Sequence, residues 1–71
     1  MRDVKPLKDG NYIARCKQET IVAAVAAGHS HIFPIADLIV SDGWARFYKG
    51  GKEVWSCNPT YAAVHFEVHR A

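Results

Sequence analysis

Apolar and polar residues alternate most clearly near the end of the chain. There Ala62, Val64, Phe66 and Val68 interleave with Tyr61, Ala63, His65, Glu67 and His69. Successive side chains of a strand point to opposite faces, so this spacing predicts a final strand with an apolar core face and a polar, histidine-bearing face. The same period appears over Asn11–Lys17, where Tyr12, Ala14 and Cys16 share one side and Ile13, Arg15 and Lys17 the other. Ala36–Val40 reads as a strand closed by Ser41-Asp42-Gly43. Trp44–Lys49 and Lys52–Cys57 read as a hairpin across Gly50-Gly51, a pair suited to a primed two-residue turn. Asn58-Pro59-Thr60 is expected to break the chain before the last strand.

One segment resists the two-residue period. Thr20–Ala27 holds four alanines, which favour helix, beside Ile21, Val22 and Val25, which favour strand. Thr20 can cap a helix and Gly28 can take the left-handed position after it, so a two-turn helix is preferred. The alternative is a further strand forming a hairpin with Tyr12–Cys16. His29–Pro34 is a loop re-entering the core through Ile32 and Phe33, and Pro34 disfavours a central strand there because it lacks an amide donor. The expected fold is α+β and mostly β: an antiparallel meander of about five strands with one short helix near residues 20–27, or all-β if that segment is a strand. Residues 1–71 form a single small domain, with 1–10 as a lead-in segment containing Pro6 and the Asp9-Gly10 turn.

Length changes what this pattern can support. A 71-residue chain buries only about 60% of its unfolded surface, so a disulfide, a metal or a partner chain would add needed stability. The 49% hydrophobic and 23% charged composition is that of a globular domain rather than a disordered one. Net charge is +2, too weak to indicate nucleic acid or an anionic membrane. Residues 1–18 carry a local excess of +3, from Arg2, Lys5, Lys8, Arg15 and Lys17 against Asp3 and Asp9. Thr20–Ala36 has no charged residue, but it is too short and too interrupted by Gly28, His29, His31 and Pro34 to span a bilayer. The chain starts at Met1 without a secretory signal. It is therefore expected to be a complete small reading frame, cytoplasmic, with Cys16 and Cys57 as free thiols.

Candidate chemistry narrows the function by elimination. His29 and His31 are two apart, and His65 and His69 are four apart. On a regular strand the second pair would lie roughly 13 Å apart, too far to share one ion, so exposed histidines and no metal are expected. No nucleophile elbow, phosphate loop or paired-carboxylate motif occurs, so neither an enzyme nor a cofactor is expected. The aromatic residues cluster in the back half, and Trp and Tyr are enriched at the energetic centres of interfaces. Trp44, Arg46, Tyr48, Trp55 and Tyr61 are the candidate partner-binding residues. The leading expectation is a small non-enzymatic protein-binding module. By analogy of size alone, it would be a phage or mobile-element accessory protein that inhibits or modulates a host or defence protein. The alternative is a β-sheet nucleic-acid-binding domain that stacks bases on exposed aromatics beside Lys and Arg. Open sheet edges and the Ala-rich segment also suggest a homodimer.

Overall fold

The first strand of the computed structural model, which describes residues 5–71, is β1 (Gly10–Cys16). Arg2 and Asp3, which contribute to the expected basic lead-in, lie outside the described residues. Tyr12, Ala14 and Cys16 are buried and the residues between them are exposed, as their alternation predicts. Helix α1 (Ile21–Ala26) follows. The Thr20 hydroxyl accepts the Ala23 amide at 3.1 Å, and Gly28 takes φ +77° just past the end. The helix reading of this segment is therefore correct.

Strands β2 (Ile35–Ser41), β3 (Trp44–Lys49) and β4 (Lys52–Cys57) continue the meander, each antiparallel to the one before. Gly50 and Gly51 both have positive φ, which the tight turn between β3 and β4 demands.

The chain departs from expectation after β4. Asn58-Pro59-Thr60 opens helix α2 (Pro59–His65) rather than a strand. Asn58 caps it, its side-chain oxygen accepting the Tyr61 amide at 2.7 Å, and Pro59 occupies the first turn, where a missing amide costs nothing. Only Phe66–Arg70 is strand, β5. Ala62 and Phe66 are buried as predicted, but Val64 is exposed and Val68 is only partly covered. Alanine-rich alternation does not distinguish a strand from a short helix, and the cap decides. Asn58→Ala is expected to lower stability by about 1 kcal/mol in urea denaturation; an unchanged midpoint would show that the cap contributes nothing.

The sheet order is β4-β3-β2-β1-β5. The fifth strand does not extend the meander beyond β4. It pairs antiparallel with β1, from Tyr12↔Arg70 to Cys16↔Phe66. Strands β4 and β5 thus run in the same direction at opposite edges, a relation that requires a crossover, and α2 supplies it over the inner face. Ala62 of α2, Ile32 and Phe33 of the 27–34 segment, and Phe47 and Phe66 of the sheet meet in one core.

Candidate functional site

Two places in this fold gather chemistry. The first is on the inner side of the sheet. His29 is 3% exposed, although the sequence pattern placed it among exposed loop histidines. Its backbone amide donates to Ala24 O at 2.8 Å, which draws the residue back under the end of α1. Its ring sits among Phe66 (4.7 Å between centroids), Trp55 (5.7 Å), Tyr61 (5.8 Å) and His65 (6.0 Å). His65 also stacks on Tyr61 at 4.1 Å. The two histidines predicted to share one strand are separated by structure: His65 ends α2 and His69 lies on β5. The two rings therefore do not stand roughly 13 Å apart along one regular strand.

His29 Nε2 and the Tyr61 hydroxyl share a hydrogen bond of 2.8 Å, while Nδ1 is buried without a partner. Burial, and then the nearby His65, push the His29 pKa below its ordinary value. The ring is held neutral. Burial raises the Cys16 thiol, with Lys49 opposing, and pushes Cys57 up to about 11. Both thiols are thus protonated at neutral pH and poor nucleophiles. Among the described residues no three His, Cys, Asp or Glu side chains converge as a metal site. The chamber is an aromatic core with one neutral imidazole inside it.

The second place is the outer face of the sheet. Trp44, Arg46 and Tyr48 alternate outward along β3. Trp44 is 40% exposed and Tyr48 is half-buried. Trp55 and Tyr61, the other two candidates, are elsewhere. Trp55 pairs with Phe47 and so takes the inner side, where its ring lies 5.8 Å from Tyr61 on α2. The structure brings three of the five together and puts the other two against His29.

What joins the three on the outer face is a set of aliphatics that the aromatic pattern did not single out. Ile13 of β1 and Ile35 and Ile39 of β2 are all exposed there. Ile13, Ile35, Asp37 and Tyr48 line a shallow depression of about 270 Å³. Strand β2 held a usable signal. Ile35 and Ile39 alternate with Ala36, Leu38 and Val40, so both of its sides are largely apolar, which is the mark of a strand covered on both faces.

Charge crosses this face in an ordered way. Ladder registers pair Glu67 with Arg15 and Ile13 with Asp37, and Tyr48 lies opposite both Asp37 and Glu53. Reading across the sheet from β5 to β4, the outward charges are Glu67, Arg15, Asp37, Arg46 and Glu53, alternating in sign. Arg46 and Glu53 are 3.5 Å apart, the one ion pair among the described residues. Both are well exposed, so the pair adds little stability.

No protein-family model, curated protein or solved structure matches the chain. Among the described residues, no helix is long and apolar enough to cross a membrane.

Proposed function

We propose that this chain is a small non-enzymatic protein-binding module of the cytoplasm, and that it recognises protein through the outer face of its sheet. The observation that carries the reading is the distribution of apolar volume. Among the described residues, five of the twelve buried apolar residues are alanines: Ala14, Ala24, Ala36, Ala45 and Ala62. Meanwhile four of the five isoleucines, Ile13, Ile21, Ile35 and Ile39, are exposed. A solvated face of an antiparallel sheet is ordinarily polar. Here it holds three isoleucines, Trp44 and Tyr48 within a rim of charge, the anatomy of an interface.

The outward charges also favour protein over nucleic acid. Asp37 and Glu53 flank Tyr48 from the two neighbouring strands, and Glu53 also lies 3.5 Å from Arg46, so acidic groups offset the positive field that a phosphate backbone would need beside these aromatics. The free thiols Cys16 and Cys57 fit a reducing compartment.

A photoreactive benzoyl-phenylalanine placed at Ile39 tests the reading in living cells of the native host. Irradiation should give a protein adduct, whereas the same probe at Thr60 on α2 should give none. No adduct at Ile39, or one destroyed by nuclease, would overturn it.

A further inference from the structure

We propose that the outer face is covered by a second copy of this chain, in a two-fold pair built on Arg15 and Asp37. The inference rests on the outer face being the recognition surface and names what occupies it.

Area is the first argument. Strands about 4.8 Å apart, rising about 3.3 Å per residue, give a five-stranded face six residues deep a flat footprint of about 500 Å². Two such faces in contact remove about 1,000 Å² from water before side-chain relief is counted, which is the threshold for a specific interface. A sheet that packs face to face with another sheet is a standard way to bury such a surface.

Self-complementarity is the second argument. A two-fold interface uses the same patch on both copies, so the patch must match itself. The registers Arg15↔Ile35 and Ile13↔Asp37 make a four-residue square on the outer face, with opposite charges on one diagonal and isoleucines on the other. A two-fold axis lying along the Ile13–Ile35 diagonal exchanges the two charged corners. Arg15 of each copy then faces Asp37 of the other, while Ile13 meets Ile13 and Ile35 meets Ile35 between them. The next charges outward along the row are Arg46 on one side and Glu67 on the other, and the same axis sets each toward its opposite. The alternation that removes a net field for a polyanion is what allows the face to pair with itself. Arg15 and Asp37 form no ion pair within 4 Å among the described residues. Both are exposed, so substitutions there leave the core untouched.

Sedimentation equilibrium from low to high micromolar concentration reads the pair directly. The wild-type chain should reach the mass of two copies. Arg15→Glu and Asp37→Arg should each raise the dimer dissociation constant at least about tenfold, because like charges then face each other twice. Mixing the two variants in equal amounts should restore wild-type affinity, since every contact in the mixed pair again joins opposite charges; a folding defect could not be repaired this way. Three results would overturn the proposal: a monomer throughout, a dimer unaffected by either substitution, or a mixture that fails to reassociate. A monomer whose Ile39 probe still captures another protein would remove the second copy while leaving the outer-face reading intact.

Discussion

Phe66→Ala is expected to lower the free energy of unfolding by about 3 to 5 kcal/mol. Phe66 is 2% exposed, and its ring meets Phe47 at 5.1 Å and His29 at 4.7 Å between centroids. It is also the hinge between α2 and β5, and its backbone amide donates to Ala62 O as the helix closes. Removing the ring leaves a void that Ala62 and Ala14 are too small to fill, so the site cannot collapse. Domains of this size have stabilities near the low end of about 5 to 15 kcal/mol, so the variant should be largely unfolded without denaturant. Val64→Ala, two residues earlier on the exposed side of α2, should change stability by no more than about 0.5 kcal/mol. Urea denaturation of the pair is the check. Equal losses would mean that α2 does not present Val64 to solvent.

The second large effect is on pH. The unfolded His29 imidazole has its ordinary value of 6.5, and in the folded chain that value is lowered, chiefly by burial and then by His65. Between the two values the unfolded chain binds a proton that the folded chain refuses. Stability is therefore fully present above the unfolded value and is lost as pH falls below it, with a slope of up to about 1.4 kcal/mol per pH unit. The loss levels off once pH passes below the folded value. Structure gives the reason: Nε2 is engaged with Tyr61, and Nδ1 has no acceptor or water-facing side to take a second proton. Replacing His29 with Phe should cost stability at neutral pH through the lost Tyr61 bond, yet flatten the decline between about pH 7 and 5. Thermal melts of both proteins across that range decide the matter. An equal decline in the variant would assign the proton to another group.

Much of this architecture was legible in the chain because it rests on local physics. Tyr12, Ala14 and Cys16 alternate with exposed residues, and a strand has only two sides. Gly50-Gly51 accepts positive φ without a Cβ penalty, so the hairpin around it follows. Thr20 and Gly28 mark a helix by satisfying and ending its backbone ladder, and α1 forms between them although half of its residues favour strand by type. The end of the chain shows where local reading stops. From Tyr61 to His69 the period of two is sound, yet Asn58 and Pro59 start a helix through five of those residues. The same alanines and valine fit either shape, and only a capped amide and a packed Ala62 choose between them.

The candidate surface divides along the same line. Trp44, Arg46 and Tyr48 share a side of β3 by parity, which any reader of the chain can see. Whether that side is inner or outer cannot be read from β3 alone, since Ala45 and Phe47 on the other side are also apolar. The crossover of α2 decides it. By covering one face, α2 makes that face the core, leaves Ile13, Ile35 and Ile39 outside, and draws Trp55 and Tyr61 inward around His29. Adjacency across strands is likewise a tertiary fact. Glu67 and Arg15 are distant in sequence, and they become neighbours only because β5 returns to the edge of β1. Sequence by itself determined the first four strands, the turns between β2, β3 and β4, and the parity of side chains along β1, β2 and β3, because those depend on neighbours a few residues away. Tertiary structure alone decided which side is buried and which charges stand together, because these depend on where a connection carries the chain.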